Sequence, residues 1–273
     1  MQATLTFLGT GTSMGVPTVG CACAVCNSAD RRDHRLRPSI LVSWNAIADS
    51  ARRRAVVIDT GPDFRQQALL QRLTYVDAVL YTHSHADHIL GMDDLRPLSF
   101  AAARSGEPIP LYASDETAAV LRRVYDYTFS PDATYITRAR VEIRRLEDRT
   151  CVGEAEFIRI PVAHGDMEVS GFRLGDAAYL TDVSAIPESS FALLAGLETL
   201  VLPALRHKPH PSHATLEQAI LWAQRIGARQ TWLTHIAHDL SHEQTSRMLP
   251  PAVALAYDGL EVAVNFNAAE PSS

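Results

Sequence analysis

Tyr81-Thr82-His83-Ser84-His85-Ala86-Asp87-His88 sets three imidazoles and a carboxylate into one short run, at spacing i, i+2, i+4 and i+5. The residues leading into it, Asp77 to Thr82, are mostly apolar between polar neighbours and predict a buried strand. The cluster therefore falls where a strand ends and a loop begins. Histidine is the commonest ligand for Zn, Fe and Mn, and carboxylate oxygen suits the harder end of that range. Residues two apart on an extended backbone project the same way, so His83 and His85 can grip one metal. A turn into helix after Ala86 swings Asp87 and His88 toward a second position, and Gly91 suits the close packing of such a turn.

Working outward, the 273 residues carry 25 basic and 31 acidic side chains, so no overall positive field draws in nucleic acid. The length predicts one domain over 1–267, with a frayed tail over 268–273. Nothing at the start resembles a signal peptide; Gln2 to Leu8 alternates as a first strand. No apolar run reaches the ~18 residues of a membrane span. Three of the four cysteines crowd between Cys21 and Cys26 while Cys151 stands alone. That distribution suits a reducing cytoplasm, with the clustered thiols serving a metal.

The C-x-C-x-x-C run Cys21, Cys23, Cys26 supplies soft thiolates for tetrahedral zinc, with a fourth ligand from elsewhere. Gly9 to Gly15 lacks the Lys-Ser/Thr of a phosphate loop and reads as a plain turn that could border a site. The basic runs Arg31 to Arg37 and Arg52 to Arg54 read as solvated surface. Asp59 ends a strand, where it serves either as acceptor for a metal-bound histidine or in a simple turn. Further polar residues follow other expected strands: His164 after 155–162, Asp182 after a hairpin over 168–181, His235 and His238 after 229–234. A proline-broken loop carries His207, His210 and His213, and an amphipathic helix follows over 214–226. Two strands flank a Tyr257-Asp258-Gly259 turn.

The His83–His88 pattern resembles the signature of the metallo-β-lactamase superfamily. That resemblance implies an α+β, four-layer αβ/βα sandwich from Leu5 to Val264. It also implies a first metal held by His83, His85 and His164, a second by Asp87, His88 and His235, and Asp182 bridging both. Lactamases of this fold place Cys where Asp182 stands, and oxygen-reducing di-iron members place an acid where His85 stands. The chain has neither, which points to phosphoester hydrolysis. The early cysteines together with Thr234-His235-Ile236-Ala237-His238 resemble the phosphoribosyl 1,2-cyclic phosphate phosphodiesterases of phosphonate breakdown (PhnP type). By that resemblance Cys21, Cys23, Cys26 and His238 hold a structural zinc. His213, rather than the surface residues His207 and His210, gives a proton to the leaving oxygen beside the metal ligand Asp87.

The expected cofactors are two catalytic divalent metals (Zn, Mn or Fe) and one structural Zn. The expected reaction opens 5-phosphoribosyl 1,2-cyclic phosphate to ribose 1,5-bisphosphate with a metal-activated water, Arg96 holding the second phosphate. Alternatives are a tRNA 3′-processing ribonuclease or another (cyclic) nucleotide phosphodiesterase, and a pyrroloquinoline-quinone biosynthesis accessory protein with a related cysteine cluster. Against the ribonuclease, no Gly-, Pro- and Lys-rich arm interrupts the chain. A small phosphorylated sugar or nucleotide is the partner expected, with no membrane and no stable nucleic-acid complex; a homodimer stays open.

Overall fold

The computed structural model describes residues 1–102, 106–131 and 137–269. The first sheet contains β1 (Gln2–Gly9), β2 (Ser39–Asn45), β3 (Arg53–Ile58), β4 (Ala78–Leu80), β5 (Ile109–Ala113) and β6 (Val141–Arg145). The second contains β7 (Arg149–Val152), β8 (Ala155–His164), β9 (Met167–Leu174), β10 (Ala177–Tyr179), β11 (Thr199–Pro203), β12 (Gln230–Thr234) and β13 (Val253–Leu255). The last strand, β14 (Glu261–Asn265), returns to the first sheet beside β1.

Strand order is β14-β1-β2-β3-β4-β5-β6 in one sheet and β13-β12-β11-β10-β9-β8-β7 in the other. Each sheet is antiparallel in one half and parallel in the other, along β3-β4-β5-β6 and β10-β11-β12-β13. Parallel strands need crossovers, which cover a sheet face and leave the strands apolar on both sides. The all-buried stretches Ala78–Leu80 and Thr199–Pro203 show this. The strands flanking Tyr257-Asp258-Gly259 do not pair with one another: β13 lies parallel to β12 and β14 antiparallel to β1.

Helices α1 (Phe64–Leu70), α2 (Ala86–Ile89), α3 (Arg96–Ala102), α4 (Asp115–Val124) and α5 (Asp126–Phe129) belong to the first sheet's crossovers. Helices α6 (Glu188–Leu193), α7 (Leu216–Ile226) and α8 (His242–Ser246) belong to the second. Helix α7 begins two residues later than its apolar spacing predicts, because the Thr215 side chain accepts from Gln218 N and caps it. Its buried stripe is Leu216, Ala219, Trp222 and Ala223.

Three apolar clusters fill the gaps between layers. One lies between the sheets and includes Phe7, Ile40, Trp44, Phe157, Phe172 and Tyr179. One joins the first sheet to its helices through Phe64, Tyr81, Ile89 and Leu121. The third joins the second sheet to α6 and α7 through Leu200, Leu233, Leu194 and Ala219. The layers are thus α, β, β, α, the expected sandwich. Among the described residues no helix is long and apolar enough to cross a membrane. Most of the tail expected from Ala268 lies outside the described residues, although Ala269 N donates to Glu154 O.

Candidate metal centre

The carboxyl ends of β3, β4, β8, β10 and β12 converge, and each delivers a polar side chain at its last residue (His164) or within three residues beyond it (Asp59, His83, Asp182, His235). Asp59, Asp182 and His235 do so with φ of 66°, 54° and 54°, in the left-handed region that costs a non-glycine residue roughly 1–3 kcal/mol. Such strain, gathered at one rim, marks a constructed site. At α2 the backbone packs tightly: a Cβ on Gly91 would stand 2.0 Å from Gly61 O, and one on Gly61 would stand 1.9 Å from Asp87 O. Only glycine fits at either position, and the approach fixes where Asp87 and His88 point.

Two ligand groups result. His83, His85 and His164 bring one nitrogen each within 4.8 Å of one another, and Asp87, His88, Asp182 and His235 do the same beside them. Asp182 lies between the groups: Oδ2 is 3.2 Å from His88 Nε2, and Oδ1 is 3.2 Å from His235 Nε2 and 4.0 Å from His164 Nε2. Outer partners set the tautomers. His88 Nδ1 donates to Asp59 Oδ2 at 2.7 Å, which settles the two roles open to Asp59 in favour of the acceptor. Thr82 donates to both Asp59 oxygens, from N at 2.8 Å and Oγ1 at 2.7 Å. With its proton so used, Thr82 Oγ1 accepts from His83 Nδ1 at 3.0 Å. His164 Nδ1 donates to Ser212 O at 2.6 Å.

His83 Nε2, His88 Nε2 and His235 Nε2 are buried without hydrogen-bond partners. Burial lowers His83 well below the usual histidine range. Burial also opposes protonation of His235, yet the adjacent Asp182 and Asp87 carboxylates carry it up to about 9. The same carboxylates hold His88 high. Aimed, unpartnered imidazoles around carboxylates that demand positive charge fit divalent metal ions.

The second cluster draws on distant parts of the chain. His238 Nδ1 lies 3.1, 3.5 and 3.4 Å from the sulfurs of Cys21, Cys23 and Cys26. Ligands ~2.3 Å (sulfur) and ~2.0 Å (nitrogen) from a tetrahedral zinc stand about 3.5 Å apart, so the donor set fits that ion. The Cys26 N–H donates to Cys23 Sγ, and Cys23 is lowered to about 6, toward the thiolate a metal requires.

Two expectations about surface residues fail here. Arg35, inside the basic run, is 1% exposed; it donates to Ala237 O and Leu240 O and pairs with Asp33 at 2.9 Å. It braces both sides of His238, a long-range role that a local charge run does not reveal. His210, expected on the surface, is half-buried, with its ring 4.9 Å from that of His213. His207 is a surface residue, paired with Glu217 at 2.7 Å. His213 joins the centre, its Nδ1 3.7 Å from Asp182 Oδ1 and its ring 4.6 Å from that of His164. Arg96 instead meets Asp93 at 3.5 Å and Thr137 O at 3.4 Å, outside both ligand groups.

Comparison with known proteins follows the same lines. The family model for the beta-lactamase superfamily domain matches residues 54–236. A crystal structure of a new diphosphatase from the PhnP family is 49% identical, with 98% of this chain and 99% of that one covered at a TM-score of 0.90. Zn(2+)-bound PqqB from Methylobacterium extorquens shares the fold at a TM-score of 0.70 and 20% identity, over 95% of this chain and 99% of that one. The octanoyltransferase of Porphyromonas gingivalis (strain ATCC BAA-308 / W83) is 36% identical over 262 residues, which are 94% of this chain and 51% of that protein. The chain spans about half the length of that relative, whose name belongs to the larger protein.

Proposed function

The chain belongs to the PhnP family of the beta-lactamase superfamily, whose members are metal-dependent hydrolases, and from that premise we propose that it cleaves phosphoric diesters at a two-metal centre. The observation that carries the reading is Asp182, set between one three-histidine group and one Asp-His-His group. His83, His85 and His164 would hold one ion; Asp87, His88 and His235 would hold the other, with Asp182 shared. Divalent ions there would acidify a water and neutralise charge developing at phosphorus.

The remaining work falls to the chain. Asp59 and Thr82 lock the tautomers of His88 and His83, so that no reorganisation is needed when substrate enters. Asp87, held well below the usual carboxylate range by His88 and His235 against the effect of burial, stays ionised as a ligand. His213 approaches Oδ1 of the shared carboxylate, where His88 approaches Oδ2, and gives its proton to the departing oxygen. Cys21, Cys23, Cys26 and His238 would hold a structural zinc, which would tie the early loop to the end of β12 three residues beyond His235.

The lead substrate is 5-phosphoribosyl 1,2-cyclic phosphate, giving ribose 1,5-bisphosphate. The second reading is a diphosphate linkage, favoured by the diphosphatase at 49% identity. Both place an esterified, anionic phosphorus between the two ligand groups. Purified protein with Mn²⁺ or Zn²⁺ should hydrolyse the cyclic ester or a dinucleoside diphosphate, followed by phosphorus NMR. Inactivity on both, with metals bound, would sink the proposal.

A further inference from the structure

Three imidazole rings form a file leading away from the ligand groups. His235 and His213 stack with centroids 4.8 Å apart at 19°, and His213 and His210 follow at 4.9 Å. Exposure rises along the file: the His235 side chain is fully buried, that of His213 is 12% exposed, and His210 is half-buried. The file therefore runs from the metal ligands toward solvent, which puts His210 on the outer side of His213.

The His210 tautomer is set locally. Its Nδ1 accepts from Ser212 N at 3.3 Å, which places the ring proton on Nε2. Ser212 O in turn accepts from His164 Nδ1, so the loop is anchored to a candidate ligand. The segment Leu205–His213 contains no acid, and no carboxylate pairs with Arg206 or Lys208 among the described residues. Arg206 Nε donates to Lys208 O at 3.3 Å, and two cations that no carboxylate neutralises, beside an imidazole N–H, favour an anion.

We propose that the loop Leu205–His213 is the subsite for the leaving portion of the substrate, and that His210 Nε2–H, backed by Arg206, binds a second phosphate carried there. The assignment rests on the phosphodiesterase reading above. It gives the phosphate-holding role expected of Arg96 to a different loop, and it selects substrates whose leaving portion is itself phosphorylated.

The test compares ribose 1,2-cyclic phosphate with and without its 5-phosphate. Wild-type protein should prefer the 5-phosphorylated ring. In His210→Ala, KM for that ring should rise about tenfold, the loss of one hydrogen bond to a charged group, with kcat held within about threefold. KM for the unphosphorylated ring should move less than about threefold. His210→Gln, which keeps an N–H near the Nε2 position, should recover most of the loss, and Arg206→Ala should weaken the same preference. Equal losses on both rings, or an unchanged preference in an active protein, overturn the subsite. Wild-type protein inactive on both rings overturns the lead reading, and the subsite assignment with it.

Discussion

At His213 two physical demands oppose each other. Burial and the neighbouring His235 push its pKa down to about 3, while proton donation requires the charged form. Asp182, 3.7 Å from Nδ1, pulls the other way, and an anionic phosphate bound beside the ring would add to that pull, so the proposed proton would come with the substrate. The need for the proton depends on the leaving group. A sugar alkoxide cannot depart without one, whereas p-nitrophenolate can. His213→Ala should therefore lower kcat by ~10²–10⁴ for the cyclic sugar phosphate and far less for bis(p-nitrophenyl) phosphate. Equal losses on the two substrates, measured side by side, would remove His213 from the proton-transfer step. The sequence singles out His213 by its place just before α7. It does not reveal His210, because the distance between two rings in a proline-broken loop has no periodicity to read.

The strand ends show why some of the centre was legible and some was not. A strand that stops and delivers His or Asp leaves a local mark: an apolar run followed by a polar residue. His83, His164, Asp182 and His235 all carry it. Arg35 leaves none, since its partners Ala237 and Leu240 are more than 200 residues away and accept through backbone oxygen. The two kinds of residue meet at the Cys21–Cys26 loop, whose three sulfurs surround His238 while Arg35 holds the backbone on either side. A structural zinc there would contribute apparent binding energy of ~10 kcal/mol or more and would order this small loop. Cys23→Ser should reduce the bound metal by one ion per chain in elemental analysis. It should also raise hydrogen exchange over 14–26 and 237–240 while the His83 and Asp87 groups keep their metals. Retention of all metal would show that the sulfurs hold none.

At the scale of the whole molecule, each sheet repeats the same half-antiparallel, half-parallel plan. The chain's two ends close the arrangement. Beyond the β14–β1 pairing, Asp258 reaches across to the first loops: Oδ1 accepts from Thr10 N at 2.9 Å and Thr10 Oγ1 at 2.7 Å, and Oδ2 accepts from Leu36 N at 2.7 Å. Thr10 O then accepts from Ile236 N, beside His235, so this one carboxylate joins the glycine-rich turn to the metal centre. A turn between two strands is all that Tyr257-Asp258-Gly259 shows in sequence, because the partners lie more than 200 residues away. Burial of the carboxylate raises its pKa from 3.8 to about 7 in spite of those donors. Between these values the folded protein binds a proton that the unfolded chain has lost. The group's contribution is therefore complete below about pH 4 and falls away as pH rises through about 7. The full conversion would approach ~4 kcal/mol; with the residue partly exposed, about half of that is expected. Asp258→Asn cannot titrate, and its Nδ2 would face the Leu36 N–H, so its stability should be lower at every pH. The decisive quantity is the slope. Between pH 4 and 7 the wild-type protein should lose ~2 kcal/mol more than the variant in denaturant unfolding at matched metal concentration. Parallel curves for the two proteins would show that Asp258 keeps its charge throughout and holds the turn as an ordinary carboxylate.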